Sequence, residues 1–274
     1  MNITFIGGGN MAGALITGLL QQGFAASQIN VVEISAEGRA HLAQQYGGGV
    51  EENLSAASLR GDIVVLAVKP QQLQSVASQL QGLLTGKLVI SIAAGVRSGD
   101  LSRWLGGHSM IVRAMPNTPA MVLAGVTGLY ARPEVAAAQR SQADTVLGAV
   151  GKTVWLEREE QMDAITAISG SGPAYVFLFI QALQEAAAEL GFDPAQARTL
   201  SLETFLGAAK LARHSPEDAA TLRARVTSKG GTTERAIAAM EQAGLRQTIV
   251  QAARAACLRS RELGDELGKT GAEG

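Results

Sequence analysis

The chain has 274 residues, 47% hydrophobic but only 17% charged, with a net charge of −1. Soluble domains carry roughly 25% charged residues, so the deficit implies apolar area buried between subunits, and interspersed charges of both signs exclude a general nucleic-acid binder. A single cysteine, Cys257, excludes an internal disulfide, and the length suits one large domain or two modest ones.

The opening residues MNITFIGGG carry no basic leader and run straight into a strand, Ile3–Ile6, which reads as a cytoplasmic protein rather than a secreted one. Gly7-Gly8-Gly9-Asn10-Met11-Ala12 follows directly and fits the dinucleotide pattern G-x-G-x-x-G/A, with a helical pattern over Met11–Gln22. Gly7 permits the tight turn, Gly9 lets a pyrophosphate approach the backbone, and Ala12 allows close helix–strand packing. The next strand, Ile29–Glu33, ends in an acid placed to bond the ribose hydroxyls of NAD and repel the extra phosphate of NADP. Ser35 and Arg39 follow closely and could hold that phosphate instead. The two signals oppose each other, so NAD(H) and NADP(H) are both expected to be usable.

A helix over Gly38–Tyr46, strand Ile63–Val68, helix Gln71–Leu84 and strands Leu88–Ile92, Met110–Ala114 and Gly125–Tyr130 come next. Strands separated by such helices predict crossover units and a mostly parallel, doubly covered sheet. Ile63–Val68 is apolar on both faces, as a central parallel strand should be. Lys69-Pro70-Gln71 ends that strand at the carboxyl edge where ligands of such folds lie, and Asn53, Ala94 and Gly95 fall in comparable loops. The fold class is therefore α/β: a Rossmann-like amino-terminal domain at residues 1–158.

After Trp155 the character changes. A charged stretch, Glu157–Glu160, leads into helical patterns at Gln161–Ile168, Pro173–Leu190, Pro194–Arg213, Pro216–Thr227, Thr232–Gln242 and Leu245–Leu267. These predict an all-α dimerisation domain at 159–267 and a disordered tail at 268–274. Gly191 followed by Pro194 is a stop-and-start signal, and Pro216 repeats the device. Tyr175–Leu190 is apolar nearly all round, and a helix apolar on every side must be buried on every side; a second subunit is expected to supply the other wall. From Ala164 to Gln184 there is no charge, but Ser-Gly-Ser-Gly-Pro interrupts that stretch, and only Ala174–Leu183 remains apolar enough, too short to span a bilayer. Cys257 lies in an Ala-rich helical pattern and reads as a buried structural thiol. His41, His108 and His214 are far apart, show no metal-ligand spacing and read as surface or packing residues.

The most informative stretch is Val226 to Ile237, VTSKGGTTERAI. Glycines let successive N–H groups turn towards one point, and a helix start leaves its first N–H groups unpaired at the positive end of the dipole. Such a turn either caps a helix or cradles a small carboxylate or phosphate. With the first glycine loop it suggests a cofactor and a small anionic substrate in one protein.

In order, the segments FIGGGNMAGALI, LAVKPQ, SIAAGV, RAMPNTPA, AISGSGPAYVF and VTSKGGTTERAI resemble the pyrroline-5-carboxylate reductase family across nearly the whole chain. The resemblance implies a cofactor cleft formed by Ile6, Gly7, Gly8, Gly9, Asn10, Met11, Ser35, Asn53, Ala67, Val68, Lys69, Pro70, Ala93, Ala94 and Gly95, with Asn117 near the nicotinamide half. It implies a substrate carboxylate resting on the N–H groups of Gly231, Thr232 and Thr233. Gly230, Val226 and Ser171 border the substrate in this reading, and Thr233 with Ser228 supplies the hydroxyls at the reacting ring. Pro173, beside Ser171, would border the nicotinamide while serving in the first turn of a helix. The expected substrate and product are pyrroline-5-carboxylate and L-proline, with no membrane or nucleic-acid partner. Homodimers are expected through the carboxyl-terminal helices, up to a decamer of dimers. Two departures stand out: Lys229, where the family often has proline, and Glu33, where small neutral residues are frequent. A β-hydroxyacid enzyme would need a motif lysine in the helical region, and Lys210 and Lys229 match none. A cofactor sensor would have no use for a carboxylate cradle.

Overall fold

The structure, a computed structural model, describes residues 1–269. It divides into two compact units: Met1–Ser171 together with the chain from Ala255, and Gly172–Arg254.

The first unit is built on an eight-stranded sheet. Its elements are β1 (Ile3–Ile6), α1 (Asn10–Gln21), β2 (Ile29–Val32), α2 (Ala36–Tyr46), β3 (Gly49–Glu51), β4 (Ile63–Leu66), α3 (Pro70–Gln79), β5 (Leu88–Ser91), α4 (Ser98–Trp104), β6 (Ile111–Met115), β7 (Gly125–Ala131), α5 (Ala137–Gly148), β8 (Gly151–Trp155) and α6 (Gln161–Ile165). The strand order is β3-β2-β1-β4-β5-β6-β7-β8, parallel at every pair except the antiparallel β6–β7. Every residue of β1, β2, β4 and β5 is buried, as parallel strands covered on both faces require. Alternate side chains serve opposite faces. Ile63 and Val65 join Phe5, Leu15 and Ile16 in one cluster, while Val64 and Leu66 join Leu73, Leu101 and Trp104 in the other.

Strands β3 and β8 and helices α4 and α5 are not expected from the sequence; strand Ile3–Ile6 lies where expected, and the other expected elements of this unit differ in their limits by one to a few residues. Helix α3 ends at Gln79, well short of the expected Leu84. The unit is closed by the end of the long last helix: Arg97 pairs with Asp265 at 2.6 Å, and Ser260 Oγ donates to Asp163 at 2.7 Å. Buried Arg113 pairs with Glu159 at 3.1 Å, and the same carboxylate accepts the N–H and hydroxyl of Ser98, both at 2.6 Å, at the start of α4. Breaking a buried ion pair costs about 3–5 kcal/mol, and partial exposure of Glu159 puts this case at the low end. Glu159→Ala should therefore lower stability by about 2–3 kcal/mol, read by urea unfolding of the first unit; an unchanged midpoint would show that solvent replaces the carboxylate.

The second unit contains α7 (Gly172–Glu189), α8 (Pro194–His214), α9 (Ala219–Arg225), α10 (Thr232–Gln242) and the first part of α11 (Leu245–Lys269). Gly191, at φ +95°, ends α7. Asp193 caps α8 by accepting the N–H groups of Ala195 and Gln196, with Pro194 in the first turn. Helices α7 and α8 pack through Phe179 and Phe205, ring centroids 6.4 Å apart. Pro216 does not start the next helix. Asp218 does, accepting the Thr221 N–H at 2.7 Å, because a carboxylate at the N-cap satisfies a donor that proline leaves open.

Two further expectations are corrected. The Ser-Gly-Ser-Gly-Pro segment does not interrupt the chain's helical path: Thr166–Gly170 form a π turn joining α6 to α7, with Ser171 N–H donating to Thr166 O at 2.8 Å. Gln161–Glu189 is therefore a 29-residue stretch of helix with mean hydropathy 1.3, by length and composition alone enough to cross a membrane. Phe177 and Leu178 on it are 64% and 65% exposed, so within one chain the apolar surface expected to be covered is open. Cys257 is a half-buried rather than buried free thiol. Helix α11 includes Gly268 and Lys269, assigned to the expected tail, and the rest of that tail lies outside the described residues.

Candidate active site

The first loop forms because Gly7, at φ +97°, folds back so that its N–H donates to Val32 O at 2.8 Å. A Cβ on Gly7 would meet Ala67 O at 2.9 Å, whereas a Cβ on Gly9 would meet nothing within 4 Å. Gly7 is thus a turn packed on the end of β4, and Gly9 faces open space. Gly9 is also the N-cap of α1 without a side-chain cap, and the N–H groups of Asn10 and Met11 find no acceptor among the described residues. Unpaired donors at a positive helix end beside a glycine without obstruction fit a pyrophosphate. Ala12 is buried, so α1 can lie close on the sheet. A cleft of about 410 Å³ runs from Gly8, Gly9 and Asn10 past Thr17, Tyr46 and Met121. His41, read from sequence as a surface or packing residue, lines it as well.

At the end of β2 the Glu33 carboxylate bridges two amides: Oε2 accepts Gly8 N–H and Oε1 accepts Ser35 N–H, each at 2.8 Å. Ser35 Oγ caps α2 by accepting Gly38 N–H at 3.2 Å. Arg39 donates to the carbonyls of Glu33 and Ile34 at 3.0 and 2.8 Å and pairs with Glu52 at 3.2 Å. Asn53 is exposed in the loop after β3. Ala67, Val68 and Lys69 follow β4, with Pro70 in the first turn of α3. Ala93, Ala94 and Gly95 follow β5, and a Cβ on Gly95 would meet Leu267 at 3.1 Å. Parallel order thus brings the loops after β1, β2, β4 and β5 to one sheet edge.

Asn117 is buried and its amide is engaged at both ends. Oδ1 accepts Val126 N–H at 2.9 Å, and Nδ2 donates to Ser169 O at 3.0 Å. Pro173, four residues on, has no N–H to give that carbonyl. Asn117 supplies the missing donor and anchors the π turn, which ends at Ser171. Turns of this kind recur at functional sites.

In the second unit, Val226 ends α9 and is 62% exposed. Gly230, at φ +72°, allows a tight turn in which Gly231 N–H donates to Ser228 O at 3.0 Å. A Cβ on Gly231 would meet Ser228 Oγ at 2.6 Å, so the Ser228 hydroxyl lies against the glycine. Gly231 N–H, expected to face a carboxylate, is therefore engaged inside the turn. The N–H groups of Thr232, Thr233 and Glu234, the first three residues of α10, find no acceptor among the described residues, and the cap supplies no side-chain acceptor. The hydroxyls of Thr232 and Thr233 are also unengaged among the described residues, whereas Thr199, Thr204 and Thr248 each donate to the carbonyl four residues earlier. Glu234 accepts Gly230 N–H at 2.6 Å. It was missed from sequence, although an acid at the third helical position is a capping signal. Glu234→Ala should loosen the turn and raise the KM of an anionic substrate by about threefold to tenfold, in line with the usual worth of a cap, with kcat little changed; an unmoved KM would remove Glu234 from the support of this loop.

The chain is similar to known proteins in sequence and in fold. Residues 159–263 match the family profile described as pyrroline-5-carboxylate reductase dimerisation, and residues 2–95 match NADP oxidoreductase coenzyme F420-dependent. A pyrroline-5-carboxylate reductase of Pseudomonas aeruginosa is 47% identical over 97% of this chain and 98% of its own. The solved structure of one from Coxiella burnetii superposes with a TM-score of 0.92 at 44% identity, covering 96% of this chain and 98% of the other. A Plasmodium falciparum pyrroline carboxylate reductase, described with NADP bound, gives 0.84 at 29% identity, covering 96% and 98%.

Proposed function

The chain belongs to the pyrroline-5-carboxylate reductase family, and from that premise we propose that it reduces the cyclic imine of 1-pyrroline-5-carboxylate to L-proline with NADH or NADPH. The observation that carries the site assignment is the pair of unpaired N–H groups at Thr232 and Thr233, beside two unengaged hydroxyls at a positive helix end.

Held by the glycine loop of Gly7, Gly8 and Gly9, a dihydronicotinamide dinucleotide would supply the hydride for the imine carbon. The Thr232 and Thr233 amides clamp the substrate carboxylate, and the Thr233 hydroxyl accepts a hydrogen bond from the protonated ring nitrogen. A cyclic imine is basic enough to bring that proton itself. The loop therefore needs no histidine, and its contribution is orientation, worth up to about 7–11 kcal/mol in favourable cases. Gly230 and Glu234 hold the turn, while Ser228 and Val226 border it. Asn117 acts through Ser169, fixing the π turn whose end, Ser171, borders the substrate in this reading.

The functional boundary between the dinucleotide-binding part and the substrate and dimerisation part lies after residue 158 in this reading, supported by the match to the dimerisation family from residue 159. The working unit is a homodimer, and light scattering should give twice 28.4 kDa or an even multiple of it, the decamer of dimers being the upper bound. A cytoplasmic location goes with this reading, tested by cell fractionation. The reaction itself is tested by NAD(P)H absorbance with pyrroline-5-carboxylate, succinic semialdehyde or no substrate. Consumption confined to the first supports the proposal. Consumption with the aldehyde alone points to a hydroxyacid-type enzyme, and none with either points to a sensor.

A further inference from the structure

We infer that this chain selects NADH over NADPH, because the position where an additional ribose phosphate would lie is held by the Glu33 carboxylate and the nearby guanidinium is already committed. The inference rests on the reading above that the first glycine loop holds a dinucleotide.

Glu33 directly follows β2, the place from which such folds read the adenosine ribose. Its carboxylate is fixed by the two amides of Gly8 and Ser35. It also has a prepared space: a Cβ on Gly38 would approach Glu33 Cγ to 3.0 Å, and one on Gly8 would approach Oε2 to 3.3 Å. Two amide bonds leave further lone pairs on the oxygens, and those can accept the paired hydroxyls of an unphosphorylated ribose. A phosphate in the same place brings like charge and no donor.

Arg39 could cancel that repulsion only if its guanidinium were available. Instead it donates to the Glu33 and Ile34 carbonyls and pairs with Glu52. Arg60 is likewise paired, with Glu51 at 3.0 Å. The surrounding acids are Glu37 in the first turn of α2, Glu51 at the end of β3 and Glu52 just after it. Lys69 follows β4, on the far side of β1 from β2. Glu52 is thus a specificity residue acting through Arg39.

The test is equilibrium binding of NADH and NADPH to the full chain without substrate, read by nicotinamide fluorescence. The unaltered protein should bind NADH at least tenfold more tightly. Glu33→Gln, which keeps the shape and removes the charge, should narrow that ratio at least fivefold. Glu52→Gln should tighten NADPH severalfold while NADH affinity holds. Equal or tighter binding of NADPH by the unaltered protein overturns the inference alone, as does a ratio unmoved by Glu33→Gln in a variant with the parent's circular dichroism. Failure to bind either cofactor overturns it together with the assignment of the glycine loop.

Discussion

Thr233→Ala should lower kcat/KM for pyrroline-5-carboxylate by one to three decades while the Kd for NAD(P)H stays within about twofold. The lower bound corresponds to one lost hydrogen bond to a charged group, about 1.5–3 kcal/mol, at about 1.4 kcal/mol per decade. The upper bound adds misorientation of a ring whose placement carries the chemistry. Thr233 lies in the second unit and the glycine loop in the first, so cofactor affinity has no direct reason to move. Thr233→Ser restores a hydroxyl without the methyl and should recover most of the rate. Undiminished turnover in the alanine variant would take the Thr233 side chain out of the mechanism and leave only its amide.

The second large effect concerns assembly. In Phe177→Asp/Leu178→Asp, two side chains that are 64% and 65% exposed in the single chain become charged. Burial of each is worth roughly 1.5–3 kcal/mol in an interface, and placing unpaired carboxylates there costs several more. The variant should therefore sediment as a 28.4 kDa monomer and lose turnover. NAD(P)H should still bind, because the core of the first unit does not include α7. A variant that remains dimeric would place the subunit contact on another face.

Much of this was readable in the residues. The strands around the glycine loop are largely apolar, β4 entirely so, and burial on both faces leaves little choice about their structure. The elements that escaped have weaker signals for physical reasons. Strand β3 is three residues long beside glycines, and β8, Gly151–Trp155, alternates half-buried and exposed positions. The π turn is the clearest case: Ser169–Pro173 carries the residues that normally end a helix, and its continuity depends on Asn117, distant in sequence, supplying the bond that Pro173 cannot. Both glycine turns are legible in the sequence, whereas their internal hydrogen bonds are not. That Gly231 N–H turns inward to Ser228, and that Arg39 is drawn away by Glu52, are tertiary facts with no local signature. The opposing signals of Glu33 and Arg39 are read differently once both side chains have partners.

The most direct test is a crystal of the full chain grown with proline and an oxidised dinucleotide. The proline carboxylate should lie within about 3 Å of the Thr232 and Thr233 nitrogens, with the ring nitrogen at hydrogen-bond distance from the Thr233 hydroxyl. Proline seated elsewhere, with that helix start empty, would contradict this placement.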